Sequence, residues 1–240
     1  MASQAFRKGL LPGTGWWPVV ASKLRSYSCL RVWGRFCYGY PAMPTPTCYF
    51  LCGIFPSMNT DIQLMNHHFE TPHLLLRPRT LEHFDACIAM DLDPHVTRYL
   101  PGPWDGGEEH RDFVRSRIER DFGEHCGYWA IFAKSAPEEF LGWVSFIPYE
   151  AVGPELEMGW RLVRRAWGKG VASEAAGRIV EHAFLGAGVE RIVADAHALN
   201  QASLAVARKV GFRFVRDGEF EGLPSKFFEM TRADFDARRG

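Results

Sequence analysis

Arg164-Arg165-Ala166-Trp167-Gly168-Lys169-Gly170-Val171-Ala172-Ser173 lies between two segments of different period. Upstream, Glu155-Leu156-Glu157-Met158-Gly159-Trp160-Arg161-Leu162 starts by alternating charged with apolar side chains, the period of a half-buried strand. Downstream, Ala172, Ala175, Ala176, Ile179, Val180, Ala183 and Phe184 recur at helical spacing. The order is therefore strand, glycine turn, helix. Such a turn gathers backbone N–H groups at a helix start, where unpaired donors and the positive end of the helix dipole favour an anion. A phosphate or pyrophosphate is the expected guest.

What the turn lacks narrows the ligand. A nucleotide P-loop needs a hydroxyl residue after its lysine to hold magnesium, and Lys169 is followed by Gly170. A dinucleotide fingerprint needs a third glycine, but Ser173 stands in its place and no βαβ unit precedes it. ATP, GTP and NAD are disfavoured.

Charge divides the 240 residues. Arg7, Lys8, Lys23, Arg25, Arg31 and Arg35 are the only charged groups in residues 1–60, so the formal net charge of zero conceals a basic extension and an acidic remainder. An acidic domain argues against nucleic acid as the main partner and for a cationic substrate. The extension carries Cys29, Cys37, Cys48 and Cys52, keeps no sustained period, and is assigned no fold. Its longest apolar run, 47–55, is short of the roughly 20 residues of a membrane span. Three readings of it stay open: a transit-like peptide, a misread leader before a start at Met58 or Met65, and a tail without order. The expected location is the cytoplasm, or an organelle if residues 1–57 are a genuine transit peptide. Cys48 and Cys52 have no companion pair at zinc spacing, Cys87 and Cys126 read as buried thiols, and no metal is expected.

From residue 70 onward, 71–79 reads as an edge strand ending at Pro78, followed by a helix capped by Thr80 with Leu81, Phe84, Cys87 and Ile88 inward. A loop over 93–107 precedes a second helix over 108–122, whose interleaved arginines and acids describe a solvated face. Residues 127–133 and 140–147 form a β-hairpin, and 191–196 is a strand parallel to 155–162. A helix from Gln201 is capped by Asn200 and stopped by Gly211, before a closing hairpin about 222–224.

Residues 70–235 resemble the GNAT acetyltransferase superfamily, in the branch of the ribosomal-protein-alanine N-acetyltransferases. Five motifs carry the likeness in order: Leu74 to Pro78, Glu157 to Trp160, Arg165 to Gly170 as Arg-x-x-Gly-x-Gly, Asn200-x-x-Ser203, and Val210-Gly211-Phe212. The resemblance implies an α/β (α+β) fold: a mixed, mostly antiparallel sheet flanked by helices, with a splayed parallel strand pair forming an acyl-CoA cleft. It implies that Leu162 and Val163 bind the pantetheine arm through main chain and that one of their N–H groups, on a bulged strand, polarises the thioester. Arg165, Gly168, Lys169, Gly170, Ala172 and Ser173 would surround the pyrophosphate, with Asn200 and Ser203 facing the pantetheine or thioester sulfur. The implied activity is N-acetylation of a primary amine, a small molecule or a protein N-terminus such as that of a ribosomal protein, by a monomer or homodimer. Glu157 is the first candidate base, Glu155 the second and His197 the third. The tyrosine that many members use to protonate the leaving thiolate is replaced by Ala207, leaving Ser203 for that role. An acyl-CoA-binding regulator without turnover is the alternative.

Overall fold

The computed structural model describes residues 67–240, so the basic extension, its cysteines and both alternative starts lie outside the described residues. One sheet of eight strands runs in the order β1-β2-β3-β4-β5-β6-β8-β7. Its strands are β1 (Phe69–Glu70), β2 (Leu74–Pro78), β3 (Gly127–Ala133), β4 (Ala136–Pro148), β5 (Leu156–Leu162), β6 (Arg191–His197), β7 (Arg213–Phe220) and β8 (Leu223–Thr231). Only β5 and β6 are parallel; every other neighbouring pair is antiparallel. The parallel step follows from a helical crossover, α4 (Val171–Glu181), as a connection between parallel strands requires.

Strand alternation sorts the side chains into two layers. Leu74, Ile131, Val144, Met158, Ile192 and Phe228 face α4 and α5 (Gln201–Val210) in the larger core, joined there by Phe235 of α6 (Arg232–Ala237). Ala130, Phe132 and Phe140 face α1 (Phe84–Asp91) and α3 (Glu108–Glu119). The short α2 (Pro94–Thr97) follows α1, capped by the Asp93 side chain.

Local signals were read correctly where chemistry is local. Asn200 Oδ1 accepts the Ser203 N–H, and Gly211 ends α5 at φ +115°, a left-handed conformation suited to glycine. Longer-range placement differs from expectation. β2 is not an edge strand, because the two-residue β1 pairs outside it. Leu81 belongs to a single 3-10 turn ahead of α1 and is 45% exposed, since that turn rotates it off the inner face. The hairpin turns at residues 134–135, so β4 runs through Pro137, Glu138 and Glu139. The loop over 93–107 contains a helical turn, α2.

The bulge expected in β5 lies in β4 instead. β5 keeps unbroken register with β4 from Leu156 to Leu162, whereas the β3–β4 ladder slips between Ile131 and Phe132, leaving Leu141 as the extra residue. Gly142, beside it, has φ +138°, and a Cβ there would lie 2.7 Å from Leu162 Cα and collide with the Arg161 carbonyl. Neither neighbour is a flexible tip. Gly142→Ala is expected to cost about 3 kcal/mol, or roughly 10 °C in Tm by calorimetry.

Candidate functional site

β5 and β6 meet at one paired position, Glu157 with Val193, and then diverge. The Val163 N–H donates to Leu141 O at 3.0 Å, so antiparallel alternation turns the N–H and C=O of Leu162 and Trp160 away from β4, toward the gap. The Leu162 carbonyl accepts from Trp167 Nε1 at 3.0 Å, leaving its N–H as the gap-facing donor. Of the two residues named for main-chain contact, only Leu162 offers that donor.

The glycine turn closes the gap at one end. Gly168 and Gly170 have φ of +71° and +81°, and a Cβ on either would meet nothing within 4 Å. Gly170 is the N-cap of α4, and the helix closes from Glu174 N–H to Gly170 O at 3.0 Å. The N–H groups of Val171, Ala172 and Ser173 therefore have no partner within the helix. The Ala172 side chain is itself buried in the core. Lys169, Gly170 and Ser173 line a cleft of about 600 Å³ with Lys209 and Arg238, a cationic wall from α5 and the C-terminal end. Arg165 is not part of it: its guanidinium bonds Glu139 and the Phe140 carbonyl. Asn200 is committed to capping α5, and Ser203 stands half-buried in that helix's first turn.

On the opposite face, acids gather at the point where the strands part. Register puts Glu157, Val193, Asp195 and His197 on one side of the sheet. Burial first, and then the nearby Asp195 charge, push the Glu157 carboxyl up to about 7, against one weak 3.4 Å hydrogen bond from the Glu150 N–H. Asp195 rises to about 6, chiefly through burial, although the Tyr149 hydroxyl donates to it at 3.4 Å. The Tyr149 phenol is pushed upward too, by burial and by Asp195. Tyr99 from the 93–107 loop lies 5.0 Å from the His197 ring, and Phe220 at the end of β7 lies 6.3 Å from Tyr149. Glu155 stands outside this group, exposed and paired with Arg191.

Tyr149 and Asp195 escaped the sequence reading. A lone carboxylate within Arg191-Ile192-Val193-Ala194-Asp195-Ala196 was the available signal, but its side of the sheet depends on the β5–β6 register.

A buried polar network holds the loop beside the site. Asp91, 2% exposed, accepts from Arg161 Nη1 at 2.8 Å and lies 3.3 Å from His110 Nε2. His110 Nδ1 accepts the Gly106 N–H at 3.1 Å, and Arg161 stacks 4.6 Å from the Trp104 ring. Removing the carboxylate leaves the half-buried Arg161 guanidinium and the buried His110 without their partner. Asp91→Ala is therefore expected to cost about 3–5 kcal/mol in urea unfolding and to release the 93–107 loop to proteolysis.

The acetyltransferase (GNAT) domain family model matches residues 73–213. The chain belongs to the GNAT acetyltransferases. This GNAT acetyltransferase is 27% identical to an uncharacterized N-acetyltransferase, p20, of Bacillus licheniformis, over 60% of its own length and 80% of the relative's. It is also 27% identical to the FsC-acetyl coenzyme A-N(2)-transacetylase of Aspergillus fumigatus, over 60% of its length and 64% of that enzyme's. Among solved structures, a putative GNAT-family acetyltransferase from Bordetella pertussis aligns with TM-score 0.58 and 25% identity, over 69% of this chain and 99% of that one. RimL, a ribosomal L7/L12 alpha-N-protein acetyltransferase solved with coenzyme A, shares the fold at TM-score 0.56 and 22% identity, over 69% and 98%. Among the described residues, no helix of this acetyltransferase is long and apolar enough to cross a membrane.

Proposed function

We propose that this chain transfers the acetyl group of acetyl-CoA to a primary amine that arrives as a cation, in the manner of the ribosomal-protein-alanine N-acetyltransferase branch. The observation that carries the reading is the diverging strand pair, with a cationic helix start at one end and two carboxyls of raised pKa on the other face. The cradle fits the cosubstrate. Gly168 and Gly170 leave open space, the first N–H groups of α4 point outward, and Lys169, Lys209 and Arg238 supply positive charge for a pyrophosphate. Main chain of Leu162 and the side chain of Ser203 would line the arm. Arg165 serves the loop from behind, by fixing it to Glu139 and Phe140.

Acetyl-CoA supplies an activated acyl carbon and a thiol leaving group; the chain supplies orientation and two proton transfers. Glu157, with its pKa near 7, accepts the proton that the ammonium must lose, and Asp195 stabilises the cation beside it. The Leu162 N–H is positioned to polarise a carbonyl held in the gap. With Ala207 buried where a tyrosine acid would stand, the Ser203 hydroxyl is the group assigned to the departing sulfur. His197, its Nδ1 accepting the Leu199 N–H and its ring 5.0 Å from that of Tyr99, would pack the amine's apolar part and leave the proton to Glu157.

The test uses the full chain, acetyl-CoA and a panel of peptides with free α-amines, lysine derivatives and polyamines, with free thiol and acetylated product both measured. Product together with thermal stabilisation by acetyl-CoA supports the enzyme. Stabilisation with no product from any amine would favour a CoA-binding regulator, and no response to any CoA species would remove both readings.

A further inference from the structure

We propose that His67, His125 and His182 form a Zn2+ site that ties the segment entering β1 to the far end of α4. Each histidine offers one ring nitrogen, and the three nitrogens lie within 4.8 Å of one another. Nitrogen donors without a carboxylate suit Zn2+ and the late first-row ions, whereas Mg2+ and Ca2+ take oxygen ligands.

Two of the rings lack partners. Among the described residues, His67 Nε2 and His125 Nδ1 are shut off from solvent and make no hydrogen bond. Buried polar atoms are nearly always satisfied, so two orphaned imidazole nitrogens in one cluster point to a ligand that both could share. The scaffold around them is fixed. His182 Nε2 lies 3.0 Å from the His125 carbonyl, and Trp129 Nε1 donates to the His67 carbonyl at 2.8 Å. Phe69 and Trp129 wall the cluster, with ring centroids 4.8 and 6.0 Å from that of His182.

Tetrahedral zinc, with Zn–N near 2.05 Å, sets its nitrogens about 3.3 Å apart, so the widest pair would close by about 1.5 Å. His125, in the loop between α3 and β3, and His67, ahead of β1, are outside regular elements, so the closing falls on loop backbone rather than on a strand or helix. At about 1.5 Å of rise per residue, His182 lies roughly 18 Å along the helix axis from Gly170, well apart from the proposed acyl cleft. The role is structural.

The full chain, stripped with a chelator, is titrated with ZnCl2 against a chromogenic competitor. One Zn2+ is expected to bind through these histidines, with affinity at least about a hundredfold weaker in His125→Ala and in His67→Ala. Two variants keep the outcome readable if one folds poorly. Because four cysteines precede residue 60, a chain with Cys29, Cys37, Cys48 and Cys52 all changed to Ser is run beside them. It should retain the ion, and its Co2+ form should lack thiolate-to-metal charge transfer. Zn2+ should raise Tm in wild type and in the serine variant but not in the histidine variants. Unchanged affinity in both histidine variants, or loss of the ion with the cysteines, would overturn the site.

Discussion

Gly170→Glu is expected to abolish stabilisation by acetyl-CoA, with affinity falling at least about a hundredfold, equivalent to about 2.7 kcal/mol. Two causes add. At φ +81° a residue with a Cβ carries about 1–2 kcal/mol of left-handed strain, although no atom obstructs it. The new side chain then projects into the open space before the α4 N–H groups, placing a carboxylate where the helix start would hold a pyrophosphate. Gly170→Ala separates the two. It carries the strain without the charge, so it should lower Tm in the absence of ligand by nearly as much as the Glu variant while keeping most of the affinity. A thermal-shift titration of the three proteins makes the measurement. Equal affinities in wild type and Gly170→Glu would move the ligand away from this helix start.

Glu157→Gln is expected to lower kcat by about 10²- to 10³-fold while leaving acetyl-CoA affinity unchanged. In wild type the rate should rise with pH up to a limb near 7, where Glu157 loses its proton, and the variant should lose that limb. Stability should move in the opposite direction. Both Glu157 and Asp195 have folded pKa values raised above 4.5 and 3.8, so between roughly pH 4 and 7 the folded chain binds more protons than the unfolded one. Folding stability therefore falls as pH rises through that window. Glutamine keeps position 157 neutral throughout. The variant should melt higher than wild type above pH 7, and the two should converge below about pH 4.5. A variant with full turnover and an unchanged pH profile would remove Glu157 from proton transfer.

The difference between what was legible and what was not follows the range of the interactions. Asn200 and Gly211 could be placed on α5 because a cap is settled within four residues of itself. Parallel pairing of β5 with β6 was equally readable, since a helix of eleven residues between two strands allows little else. Gly142 gave no sequence cue, because its need for glycine comes from Arg161 and Leu162 across the ladder. Glu157 was singled out through its motif as a candidate base, but its neighbour Asp195 depends on register, which one residue of slip would reverse. Arg165 shows the complementary failure. It stands in the loop that its motif names, yet its side chain is taken by Glu139, and spacing alone says nothing of where a long side chain turns. His110 is buried on a helix that otherwise reads as charged, and its reason, Asp91, is supplied by another element.

The single paired position between β5 and β6 has a further consequence. Most sheets have edges only at their outer margins, whereas this one carries a second pair of edges within it, facing each other across a wedge. Recognition there, under the proposed function, would fall to peptide groups, which every residue possesses, so the strand sequences could drift without erasing the docking surface. What the wedge would select is the outline of its guest: thin, extended, and bearing amides spaced like those of the strand it replaces.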